Sequence, residues 1–398
     1  MKDTQEFQKT ISLPPLFNNA NLLQFDIEPD KRCFRLRDSY LQFYVELEDD
    51  FVPDNNFCSK LFEYMDLNIN YEDVSFKCSS NDYDFTTFVQ QRINISDKLS
   101  KRIPFEGNFD YFNYDSSELK NNASVVQMRQ CGSKFTKDGT NYIRYHFMTP
   151  IYHGLSHGQI LPAGVHISLT FHRAKAEKAL VDISNTVVEF PSKTIPILDP
   201  ILHTEWAYGE VITQQMSQIK RNGISIPFTA SHIRHRKLQT GLKTEQKIEI
   251  LQGPLPQYVV FFLMKPDRFG GDLKLSSTKM EMHNLEKFTL KIDDVQMENY
   301  PLNVTKYGSS KFYHEFYRHF LMQTGIYEDQ DQNFMKEDTY VNGNFMILES
   351  FENSQVKEGH LSVSLIFGDE LKEELFLCWM PCYEKQLKFD KYLSVQMV

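Results

Sequence analysis

The sequence has little of what small secreted and membrane proteins depend on. Six cysteines (Cys33, Cys58, Cys78, Cys131, Cys378 and Cys382) are scattered through 398 residues without a framework spacing, which reads as reduced thiols inside a cell. The longest apolar run is Tyr258–Met264, far short of the ~20 residues a membrane-crossing helix needs. Residues 1–6 are polar, so no apolar signal-peptide core is expected there. Basic excess is also missing: 43 Lys and Arg stand against 53 Asp and Glu, a net charge of −10. That balance argues against a coat that neutralises nucleic acid and against a polybasic membrane binder. Glycine (17) and proline (16) are modest, so wholesale disorder is not expected.

Aromatics, by contrast, are plentiful. The chain carries 32 Phe and 20 Tyr, residues that favour strands and bury large areas. Its length suits roughly two domains of ~150–200 residues. Leu41, Phe43, Val45 and Leu47 alternate with polar residues as a half-buried strand does, and Leu67, Ile69 and Tyr71 repeat the pattern. Residues 79–138 are rich in Asn, Asp, Ser and Lys and read as long connections with short strands. Two helices are expected. One runs over 209–219, with Val211, Ile212, Gln215, Met216 and Ile219 on one side and Gly223 as its stop. The other runs over 310–324 with a Phe312, Phe316, Phe320 stripe, closed by Gly325.

A Ser-Leu-x-Phe element occurs twice, at 168 and 364, each time ending a strand opened by a glycine (Gly164 and Gly359). The two lie about half a chain apart, which suggests two similar β domains in tandem. Their join is expected in the proline-bearing stretch 185–200, giving domains 1–195 and 196–398.

No motif marks an enzyme, and no catalytic residue, cofactor site or metal site is expected. His314 and His319 are five positions apart, about 500° around a helix, and so do not share the face a zinc-protease helix requires. Cys378 and Cys382 have three intervening residues and no second pair. Asp267–Asp272 contains Gly270-Gly271 but lacks the Lys-Ser/Thr of a phosphate loop and reads as a turn. The acidic runs 46–50 and 328–331 read as solvated loops. The basic cluster His232-Ile233-Arg234-His235-Arg236-Lys237 would place His232, Arg234 and Arg236 on one strand face. That strip is a protected, solvated edge, a contact with an acidic neighbouring subunit, or a contact with nucleic acid.

From Leu198-Asp199-Pro200 onward the order of features resembles the major capsid protein of Polinton (Maverick) elements and their adintovirus and virophage relatives. The matching text is Ser225-Ile226-Pro227-Phe228, the basic strand, Leu255–Leu263 leading to Asp267–Gly271, and Asn284–Asp294. In the first half, Phe34–Leu41, Phe57–Asn70 and Leu161–Ala174 are similar to family strands. The pieces are short, and their order carries the likeness. It implies an all-β chain of two tandem jelly-roll sandwiches, a double jelly-roll, with a few short helices in the loops. It also implies homotrimeric, pseudo-hexameric capsomers in an icosahedral shell, with neighbouring capsomers and penton or minor capsid proteins as partners. The expected location is the virion capsid, after synthesis in the host cytoplasm, with no direct nucleic-acid binding and no membrane insertion. Many family members are longer, so this chain should have short outer loops. The alternatives are a minor or penton capsid protein and a non-catalytic ligand-binding β-sandwich.

Overall fold

Alternation in the sequence becomes strand. The computed structural model describes residues 6–70, 83–94, 123–153, 160–184, 193–308, 310–324, 337–341, 343–352 and 354–397. These fall into two compact units, one within Met1–Phe88, Arg102–Ser231 and Glu384–Val398, the other within Val89–Lys101 and His232–Tyr383.

The first unit is built from β1 (Glu6–Leu13), β2 (Phe17–Asn18), β3 (Leu22–Ile27), β4 (Cys33–Glu48), β5 (Phe51–Pro53), β6 (Phe62–Ile69), β7 (Ser133–Lys137), β8 (Thr140–Pro150), β9 (Ile167–Arg173), β10 (Leu180–Asp182), β11 (Leu198–Gly209) and β12 (Ile224–Ser231). One sheet has the order β1-β11-β4-β8-β7, a second β2-β3-β9-β6, and β5 pairs with β10. Each main sheet buries one face. Leu41, Phe43, Val45 and Leu47 of β4 are wholly buried, as are Leu23 and Phe25 of β3 and Leu67 and Ile69 of β6. On the buried face of the larger sheet, Phe147 of β8 meets its register partner Phe43 at 5.7 Å and Phe57, of the short helix Phe57–Lys60, at 4.8 Å, ring centre to ring centre. Alternate residues of each sheet are thus turned inward, as in a sandwich.

The second unit holds β13 (Arg234–Leu238), β14 (Thr244–Pro254), β15 (Tyr258–Met264), β16 (Leu285–Ile292), β17 (Val295–Gln296), β18 (Leu302–Asn303), β19 (Thr305–Tyr307), β20 (Ser310–Phe312), β21 (Ile347–Ser350) and β22 (Glu358–Phe367). It also takes the start of β23 (Leu375–Phe389), whose later residues pair with β24 (Val395–Met397) in the first unit. One sheet is β14-β22-β16-β17. In the other, Trp379 of β23 faces Arg234 of β13 on one side and Phe261 of β15 on the other, and β21 follows β15. The two sheets meet where Phe261 of β15 packs on Phe288 of β16 at 5.3 Å. β15 is the longest apolar run because Val259 to Met264 are all buried, so neither face needs polar residues.

Three expectations need correction. The two Ser-Leu-x-Phe strands are not equivalent. β9 lies between β3 and β6, a position matched in the second unit by β23, between β13 and β15; β22 lies between β14 and β16, as β8 lies between β4 and β7. The motif marks any half-buried strand of that length, not a place in the topology. The compact units are not contiguous in sequence: β11, which follows residue 195, lies in the first unit's sheet, where it pairs with both β1 and β4. Within 79–138, the described segments Tyr83–Asn94 and Ala123–Cys131 are helices. Phe85, Phe88 and Val89 are wholly buried, and Asp84, Thr86 and Thr87 between and beside them are buried too, so the first two turns are enclosed on every side. Finally, residues 310–312 form β20, paired with β19, and the helix begins only at His314, so Phe312 is outside the stripe that buries Phe316 and Phe320. Gly325 lies outside the described residues. The helix expected over 209–219 is present as Glu210–Asn222, and Gly223 ends it at φ 71°, where a side chain would strike the Phe389 carbonyl.

Candidate functional site

The basic strip forms an exposed strand. Arg234, His235, Arg236 and Lys237 all face solvent, and only Leu238 is buried. Backbone pairing to β23, from Arg234 opposite Trp379 to Leu238 opposite Leu375, holds the strand in register. Period-2 alternation puts Arg234 and Arg236 on one side. His232 lies two residues before the strand and is half-buried; burial, and then the Arg234 charge, push its imidazole below the ordinary value.

Intrachain partners take up most of this charge. Arg236 reaches Glu245 at 3.2 Å and Lys237 reaches Glu374 at 2.7 Å. The His235 ring packs on Phe376 at 4.5 Å and on Phe269 at 5.0 Å. Arg234 has no carboxylate within ion-pair distance among the described residues, so the strip presents one unpaired cation rather than a basic band. The acidic run 328–331, a candidate partner on a neighbour, lies outside the described residues.

The other sequence features resolve into structure. His314 is exposed and pairs with Glu337 at 3.0 Å, whereas His319 is buried, so the two rings diverge as their spacing requires. Cys378 and Cys382 are both buried on β23, opposite Phe262 and Tyr258. Four residues of strand separate them by ~13 Å, too far for a disulfide or one metal ion. Gly270 ends a short helix and Gly271, at φ 92°, turns the chain.

Two buried polar groups were not foreseen. Lys60 and Asp54 pair at 2.5 Å with both side chains almost wholly excluded from solvent. Burial pushes the Lys60 ammonium below its usual value, against the pull of Asp54. In the second unit the Tyr300 hydroxyl donates to Glu349 at 2.9 Å, and His319 Nε2 sits 3.2 Å from that hydroxyl and 2.9 Å from the Leu348 carbonyl. These residues come from three separate stretches of chain, and nothing local in the sequence brings them together. Both groups are enclosed and tie elements together; neither opens to a substrate.

No protein-family model matches the sequence, and no curated protein matches it. Solved structures do match the fold over its whole length. A chain of the Sputnik virophage aligns with 100% of this chain and 89% of its own, at a TM-score of 0.63 and 9% identity. A chain of the PBCV-1 virus capsid covers 100% of this chain and 98% of its own, at a TM-score of 0.57 and 10% identity. The mavirus major capsid protein covers 100% and 90%, at a TM-score of 0.55 and 8% identity. The chain has a double jelly-roll fold. At such identities the double jelly-roll is shared as backbone, so its side chains must be read from this chain alone. On that reading the strip at Arg234–Lys237 offers one arginine, Arg234, without an ion pair among the described residues.

Proposed function

We propose that this chain is a structural major capsid protein of an icosahedral DNA virus or Polinton-type element, not an enzyme, and that it assembles as homotrimers. The observation that carries the reading is the full-length alignment of both sandwiches, in one chain, with the mavirus major capsid protein and a PBCV-1 capsid chain. Three copies of a two-sandwich chain present six similar sandwiches, which suits a lattice site with six neighbours. The sequence halves 1–195 and 196–398 are proposed as the two ancestral modules, with β11 contributed across that boundary. Arg234, with Arg236 and His232 beside it, is proposed to meet an acidic surface of a neighbouring subunit. Other capsomers and penton proteins are the further partners, and the virion shell is the location. The net charge of −10 supports shell contacts between proteins rather than contacts with the genome.

Size-exclusion chromatography with light scattering, followed by negative-stain microscopy, tests this. The expected result is a species of three times the 46.8 kDa chain mass, seen as three-lobed particles with a pseudo-hexagonal base. A monomer at high concentration would overturn it and favour a ligand-binding sandwich.

A further inference from the structure

The outermost strand of the first unit's larger sheet is joined to that unit in an unusual way. β1 pairs along its whole length with β11, from Glu6 opposite Gly209 to Leu13 opposite Leu202. Yet none of its described side chains is buried. Phe7, Gln8, Lys9, Thr10 and Ser12 are exposed, Phe7 to 47%, and Ile11 and Leu13 are only half-buried. β11 is secured independently by β4 on its other side, and its own Leu202, Trp206 and Ala207 are buried. Removing β1 would therefore leave the sandwich core intact and open one edge of β11.

What holds β1 is specific to β11. Thr10 donates to Glu205 at 2.6 Å, Ser12 bonds His203 at 2.9 Å, and the Phe7 ring stacks on Tyr208 at 5.4 Å. Every one of these contacts is between β1 and β11, so a β1 from another copy satisfies them equally well. The hinge points the same way. Pro14 and Pro15 follow β1, and at Leu16 the chain is anchored to the other sheet by a backbone bond to Gln24. Two successive prolines fix φ and bias the preceding residue to extended geometry, so the link between arm and sandwich is short and stiff.

We infer that β1 is an arm exchanged between copies of this chain: in the assembled protein each β1 pairs with the β11 of a neighbour, closing a ring. The inference rests on the proposed self-assembly. Own-chain and exchanged pairing share one set of contacts, so concentration and assembly decide between them.

The test is a double variant, Thr10→Cys with Glu205→Cys, in a Cys131→Ser background that removes an exposed thiol. Directly opposed positions on antiparallel strands suit a disulfide. After mild oxidation of the assembled protein, a denaturing non-reducing gel should show covalent trimers as the main product, absent from the single variants. A monomeric band overturns the inference, whether its thiols are consumed (own-chain pairing) or free (β1 not on β11). Phe7→Cys with Tyr208→Cys repeats the test one end further along, should the first pair disturb folding. Light scattering of the unoxidised parent separates the two ideas. A trimeric parent with monomeric gel bands sinks the arm alone, and a monomeric parent sinks the capsid reading.

Discussion

Lys60 Nζ lies 2.5 Å from Asp54 Oδ2, with the two side chains 0% and 1% exposed. A charge shut away this fully is tolerable only with its partner in place. Asp54→Ala should therefore destabilise the protein by about 3–5 kcal/mol, the range seen when one member of a buried pair is removed. Urea titration monitored by tryptophan fluorescence would measure this. A loss below about 1 kcal/mol would mean that water or other groups reach the ammonium.

The second buried group is neutral at its donor end. Tyr300 donates to Glu349, and burial, followed by the Glu349 charge, holds its hydroxyl protonated well above the usual phenol range. Tyr300→Phe keeps the ring but leaves the carboxylate short of a donor, at a cost of about 1–3 kcal/mol. An unfolding midpoint equal to the parent's would show that the hydroxyl is dispensable.

His283 sets a pH dependence. Burial pushes its imidazole down to about 4, partly opposed by Glu281 and Glu373. Between pH 4 and its ordinary 6.5 the folded side chain is neutral while the unfolded one binds a proton. The unfolded state thus gains protons as pH falls, and stability, complete above 6.5, declines towards pH 4 by about 3 kcal/mol at most. His283→Asn should flatten that slope, and Asn suits the left-handed backbone at φ 48°. Parallel slopes for parent and variant over pH 4–7 would rule out this histidine as the source.

Arg234 and Arg236 should behave differently on charge reversal. Arg236 is already paired with Glu245 within the chain, whereas Arg234 has no ion pair among the described residues. Arg234→Glu is expected to weaken the trimer severalfold more in low salt than in high, because salt screens exposed pairs, and Arg236→Glu to do less. Light scattering at two salt concentrations reads this. A trimer unchanged at both would leave the strand as an ordinary solvated edge.

Much of the fold was legible because its signals are local. The alternation from Leu41 to Leu47, the apolar run of β15 and the stripe ending at Gly223 each depend on a dozen residues or fewer. The divergence of His314 and His319 followed from helical geometry alone. Pairing was not legible. β11 joins β4 across more than 150 residues, and no periodicity in either strand announces it. The Ser-Leu-x-Phe element misled for the same reason, since β9 and β22 share a burial pattern without sharing neighbours. Lys60 and Asp54 were invisible as a site because each reads singly as a surface charge. The strip at 232–237 was found as charge, but its cancellation by Glu245 and Glu374 required the pairing register. The helix Tyr83–Asn94 had a readable stripe in Phe85, Phe88 and Val89, masked by the polar text around it.

The doubly buried β15 also has a history during synthesis. Its neighbours are β21 and β23, which face Val260 with Leu348 and Met380. At ~5–20 residues per second, a ribosome delivers the Met380 partner roughly 6–25 s after Val260. For most of that interval, until β21 is made, Val259-Val260-Phe261-Phe262-Leu263-Met264 is an uncharged, strand-prone segment with neither sheet neighbour available, and until Met380 it lacks one of the two. Production of this protein at high yield therefore depends on holding that segment apart from its counterparts on other nascent chains, which makes chaperone supply and growth temperature the controlling variables for soluble expression.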